Sequence, residues 1–156
     1  MTLRKTLSKY SNKEEIIGYD LGTPIYLMKC DMNKAFEEIP NEILQFIDEK
    51  SCAFVYREPK FFGNLAKEYL IVIHNDSTYE SFSNKLKNVV IGHELGHIYN
   101  RKADEKLSSK ERADAYVKNK YGKLSVEESR TVGSWLDGFY NSGNVLENAF
   151  VERFSS

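Results

Sequence analysis

The chain has 156 residues, 22 Lys and Arg against 23 Asp and Glu, a formal net charge of -1, and 41% hydrophobic and 13% aromatic residues. That length suits one domain, residues 1–156, around one core, and the balanced charge argues against nucleic acid or an anionic membrane surface as a partner. No run of about 18 apolar residues offers a membrane span, and the opening "MTLRKTLSKYSNKEE" lacks the apolar stretch of a signal peptide, so the expected address is the cytoplasm.

Along the chain, residues 3–17 predict a short helix. Thr23 to Lys29, "TPIYLMK", is rich in strand formers, and Pro24 suits a strand start or an edge. A helix is expected at about 33–50, where Ile43, Leu44, Phe46 and Ile47 supply an apolar stripe and Pro40 precedes the stronger half. "CAFVYRE", 52–58, reads as a second strand. Gly63-Asn64 signals a turn before a strong strand at 68–74, which Asn75-Asp76-Ser77 ends. From Ser83 to Arg101 the period becomes helical, with Leu86, Val89, Val90, His93 and His97 at steps of three and four. A charged loop, 101–107, leads to a helix at 109–120 closed by Gly122. Two more helices are expected at 125–140 and 144–153, split by Asn141-Ser142-Gly143. Strands come first and helices second, which predicts an α+β domain with a small sheet packed on a helical layer. Cys30 and Cys52 are too far apart for a CxxC motif and read as buried free thiols.

The chemistry concentrates in "VVIGHELGHIYN", residues 89–100, which holds two of the three histidines in the chain. His93 and His97, four apart, share a helix face with Cβ atoms about 5–6 Å apart. Imidazoles at that spacing can converge on one ion at Zn–N distances of about 2.0–2.1 Å. Glu94 sits one step round the helix from His93, beside the ion, where a carboxylate can take a proton from water. Each glycine in a helix costs about 0.8–1 kcal/mol relative to alanine, so Gly92 and Gly96 call for a reason. Their lack of side-chain volume would let the ligand helix approach its neighbours closely; the bland alternative is a weak helix held by its surroundings.

With its preceding strand and the following helix "KERADAYVKNKYG", "HELGH" resembles the small gluzincin-type zinc metallopeptidases, and in particular the ImmA/IrrE-type domains of phages and mobile elements. The resemblance covers about residues 68–122. It implies a zincin-like fold, a small, mostly antiparallel sheet packed on a helical layer carrying the HExxH helix. It also implies a bound zinc and a protein or peptide substrate. Those families take a third ligand from a glutamate on the second helix, ahead of an Ala-Asp or Ala-Asn pair. Ala113-Asp114 matches the pair, but the glutamate position falls on Lys110. Glu111, one residue off and one turn before Asp114, is then the expected third ligand, with Asp114 fixing the tautomer of a ligand histidine. In the rival assignment Asp114 ligates directly. Glu111 also has a metal-free reading, because Ser108-Ser109-Lys110-Glu111 is an S-x-x-E capping box. The metzincin pattern is excluded, since it needs Gly and His where this chain has Asn100 and Ala103.

The resemblance further implies peptide-bond hydrolysis, in which the ion acidifies water and polarises the scissile carbonyl while Glu94 serves as general base. A substrate would add to the strand Tyr69–His74 as to a sheet edge. His74 is the first candidate to stabilise the oxyanion and Tyr116 the second, although a strand-end histidine is more often polar surface and a helix tyrosine more often core. The competing reading is a non-catalytic, metal-stabilised domain that binds a partner or regulates.

Overall fold

The strand-forming runs of the first half assemble a mixed four-stranded sheet in the order β1-β2-β4-β3. The strands are β1 (Ser11–Asp20), β2 (Thr23–Cys30), β3 (Ala53–Pro59) and β4 (Ala66–His74). The computed structural model describes residues 2–45, 47, 51–60, 65–138 and 153–156. Contacts divide the chain into two units, Met1–Glu49 with Ala53–Glu80, and Lys50–Cys52 with Ser81–Ser156. The fold is α+β.

In the first unit β1 and β2 form an antiparallel hairpin, β2 and β4 run parallel, and β3 and β4 are antiparallel. The hairpin turns on Leu21 and Gly22, both at positive φ (50° and 85°), the twist a two-residue turn between right-twisted strands requires. β4 is buried at every position except Lys67. A near-continuous apolar run is the signature of a strand covered on both faces. Leu70 and Val72 join Met28, Cys30, Phe54, Leu3 and Leu7 in one core cluster.

Three expectations are corrected here. The helix over 3–17 shrinks to α1 (Leu3–Leu7), capped by the Thr2 hydroxyl, and a 3-10 turn at Ser8–Tyr10, after which the chain is β1. Leu3 and Leu7 carry the four-residue spacing, but beyond Tyr10 the residues pair with β2 from Ser11↔Cys30 to Asp20↔Thr23, and sheet pairing overrides the local pattern. The helix over 33–50 is broken into α2 (Met32–Ala35), a 3-10 turn (Phe36–Glu38) and α3 (Asn41–Leu44). Pro40 has no amide hydrogen and disfavours helix in the residue before it, which sets the break. The third correction concerns substrate pairing. Residues 69–74 of β4 are bonded to β2 on one side (Tyr69↔Ile25 to His74↔Cys30) and Tyr69–Ile73 to β3 on the other, so this strand is central and cannot take a peptide as an edge.

α4 (Ser77–Ser81), a helix the sequence did not announce, falls in the first unit up to Glu80. In the second unit α5 spans Asn84–Tyr99 and begins at Ser83, whose hydroxyl accepts from the Leu86 amide. α6 (Ser109–Tyr121) and α7 (Val126–Leu136) each start with a reciprocal capping box, Ser108 with Glu111 and Ser125 with Glu128. α7 stops at Leu136, short of the expected 140. Of the helix expected at 144–153, only Arg153 lies within the described residues, and the Asn141-Ser142-Gly143 break lies outside them. Val89, Val90, Leu95 and Ile98 of α5 are buried, as are Ala113, Val117, Val132, Trp135 and Phe154, and Trp135 meets Phe82 edge-on at 5.9 Å. Among the described residues no helix is long and apolar enough to cross a membrane.

Candidate metal centre

The site is made where α5 crosses α6. A Cβ built on Gly96 would lie 2.8 Å from both Cα and O of Ala113 and 2.9 Å from Cβ of Tyr116. On Gly92 it would meet the Tyr121 ring at 2.7 Å. Real atoms do not approach so closely, so Gly96 is what allows the two backbones to touch. Gly96 therefore serves close packing, with α6 as the neighbour it admits, whereas Gly92 faces only the outer ring of Tyr121. The contact brings Asp114, beside Ala113, to His93, and Ser109, at the start of α6, to His97.

The two imidazoles converge. Their Nε2 atoms stand 3.1 Å apart and the rings meet nearly perpendicular at 4.6 Å. Two nitrogens each about 2.0–2.1 Å from a tetrahedral ion are about 3.3 Å apart, so this separation fits a shared ion. The opposite ring atoms are held by α6. His93 Nδ1 lies 2.8 Å from Asp114 Oδ1, and His97 Nδ1 lies 2.9 Å from Ser109 Oγ. Asp114 Oδ1 is buried and makes no contact that meets hydrogen-bond geometry among the described residues, so its approach to His93 Nδ1 is close in distance without being aligned. With the proton on each Nδ1, the arrangement that the neighbouring Asp114 and Ser109 oxygens favour, both Nε2 lone pairs turn toward one point. Burial reinforces the neutral form. It lowers the pKa of His93 against the opposing pull of Asp114, and together with the neighbouring His93 it lowers that of His97 to about 4. His93, Glu94 and His97 offer ligand atoms within 4.8 Å of one another.

Glu94 is buried. Burial, opposed by the charge of Arg153 and helped by that of Asp114, raises its pKa to about 8. Burial therefore favours the protonated carboxyl.

The structure does not bring Glu111 to the histidines. Its side chain is exposed and accepts from the Ser108 amide at 3.1 Å, while its own amide donates to the Ser108 hydroxyl, so the capping box accounts for it. Asp114 does reach the pair, in the orienting position on His93 Nδ1. Its other oxygen, Oδ2, accepts from Arg153 Nε at 2.7 Å. Lys110, where the resemblance would put a glutamate, donates to Asp137 Oδ1 at 2.6 Å, and Arg153 Nη1 donates to Asp137 Oδ2 at 2.9 Å. Sequence reading missed Ser109, Asp137 and Arg153. Ser109 stands four positions before the Ala113-Asp114 pair, one turn up the same helix; Arg153 joins Asp114 from 39 residues away, with no local signal.

The two oxyanion candidates have other engagements. In the first unit His74 Nδ1 accepts from the Met32 amide at 3.1 Å, which caps the start of α2 and leaves the proton on Nε2. In the second, Tyr116 packs in the α5–α6 seam, its ring 5.7 Å from that of Tyr99 and its Cβ against Gly96. No protein-family model, curated protein or solved structure matches the chain.

Proposed function

We propose that the chain holds one divalent ion, zinc by the character of its donors, between His93 and His97, and hydrolyses a peptide bond there with Glu94 as general base. The observation that carries the reading is the 3.1 Å Nε2–Nε2 approach with both Nδ1 atoms already matched to Asp114 and Ser109. Two neutral imidazoles favour zinc over magnesium or calcium, which prefer oxygen. When bound, such an ion supplies Lewis acidity and lowers the pKa of water to about 7. The chain's own residues do the rest. Asp114 and Ser109 hold the rings in one tautomer. Glu94, ionised once a dication stands beside it, accepts the proton of the attacking water and returns it to the leaving amine. Its burial keeps that proton from exchanging with bulk solvent.

A second reading, a metal-holding domain without hydrolysis, is favoured by the surroundings of Asp114. Glu111 is turned away, Asp114 is engaged by Arg153, and Lys110 stands in the acidic position. Elemental analysis and peptide-library hydrolysis separate the two. One equivalent of zinc is expected in the wild type and a strongly reduced content in His97→Ala. Glu94→Gln is expected to keep its zinc and lose hydrolysis by at least about a hundredfold. Hydrolysis unchanged in Glu94→Gln rejects the general-base role; zinc in the wild type without hydrolysis of any peptide selects the second reading.

A further inference from the structure

Arg153 is an enclosed cation beside the histidine pair, with a side chain 5% exposed. Nε and Nη1 bind Asp114 and Asp137, and the remaining nitrogen, Nη2, lies 3.3 Å from His93 Nε2 and 3.5 Å from His93 Nδ1. Lys110 holds the other oxygen of Asp137. Asp114 and Asp137 are thus matched by Arg153 and Lys110, two carboxylates by two cations, with no ion needed.

The geometry constrains what happens when one binds. An ion bonded to His93 Nε2 at about 2.1 Å lies within about 5.4 Å of Arg153 Nη2, the sum of 2.1 and the observed 3.3 Å. At that range, among enclosed side chains, a guanidinium and a dication repel with little screening. They also compete for the same groups: the charge of Asp114 and the nitrogen face of His93.

We propose that Arg153 sets the metal affinity of this site, acting as a resident cation that opposes the divalent ion and keeps the metal-free form well ordered. This rests on the metal reading above. It makes Arg153 a positioning residue that works through Asp114 and His93.

The test measures zinc affinity of the full chain by competition with a chromophoric chelator. Arg153→Met keeps most of the side-chain volume and removes the charge; its affinity is expected to rise at least tenfold. Arg153→Lys, which restores the charge, is expected to return to within about threefold of the wild type. A purely structural role for Arg153 would weaken zinc binding in both variants. Lys110→Met, at a half-exposed position where folding is not at risk, loosens the hold on Asp137 that Arg153 shares; it is expected to tighten zinc by a few-fold. Unchanged or weaker affinity in Arg153→Met or, should that variant not fold, in Lys110→Met overturns the proposal. If in addition the wild type binds zinc and His97→Ala does not, the metal reading survives and the role of Arg153 alone is rejected. Equal, negligible binding in the wild type, His97→Ala and both charge-removing variants rejects the two together.

Discussion

Glu94 is a carboxylate buried on a helix that also buries two imidazoles, and the three titrate against one another. The folded-state pKa of Glu94, raised from 4.5 to about 8, means that the fold retains a proton which the unfolded chain has lost. Stability from this source is complete below about pH 4.5 and falls as pH rises toward 8. His97 is lowered from 6.5 to about 4, so its contribution is complete above 6.5 and is lost as pH falls. His93 shifts in the same direction as His97. Between pH 6.5 and 8 Glu94 contributes the largest change, and the histidines complete theirs in the opposite direction. In chelator-treated protein the unfolding free energy of the wild type is expected to drop by about 1.5–2 kcal/mol relative to that of Glu94→Gln across that interval. Urea titrations at three pH values check this, and an equal slope in both proteins would remove Glu94 from the account. At this scale the sequence reading was uneven. The His93-Glu94-His97 group is a local pattern on one helix and was fully legible. Glu111 and Asp114 share a helix face one turn apart, and spacing alone could not say which met the histidines; that depended on Ser108 accepting the Glu111 amide and on Gly96 setting the depth of the crossing.

Among the elements, the α5–α6 pair carries the site, and Gly96 is where its geometry can be tested. In an isolated helix Gly→Ala stabilises by about 0.8–1 kcal/mol. At Gly96 the added methyl meets the backbone of Ala113 at 2.8 Å, which cannot yield without separating the helices. Overpacking of this kind costs about 1–3 kcal/mol, so Gly96→Ala is expected to lose about 1–2 kcal/mol net. At Gly92 the methyl meets only the outer carbons of the Tyr121 ring, and Tyr121 is 37% exposed and can swing aside. Gly92→Ala is therefore expected to be neutral or more stable by up to about 1 kcal/mol. Chemical denaturation of the two variants side by side decides it, and a stabilised Gly96→Ala would mean the helices are not in close contact. The capped helices of the second unit were readable because Ser83, Ser108 and Ser125 announce their starts in sequence. The first unit was harder. The expected helix over 3–17 covers both α1 and β1, and the pairing of β1 depends on β2 and has no local mark.

At the scale of the whole molecule, the order of strands before helices was enough to read an α+β fold, but strand order within the sheet was not, because parallel pairing of β2 with β4 joins segments separated by the whole of β3. With β4 central, the edges that the described strands leave are those of β1 and β3. The metal reading has a consequence for the entire chain that does not depend on substrate. An ion that binds only the folded state stabilises it by about 2.7 kcal/mol at a hundred times its dissociation constant. For a chain of 156 residues each kcal/mol moves the melting temperature by about 2–4 °C, so zinc at that excess is expected to raise it by roughly 5–10 °C. His97→Ala, which removes one of the two converging nitrogens, is expected to show no rise, and magnesium at the same concentration no rise in either protein. A shift of equal size in wild type and His97→Ala would mean that zinc stabilises the chain from somewhere other than the crossing of α5 and α6, and the histidine pair would then be a packed feature of the helix with no ion between its rings.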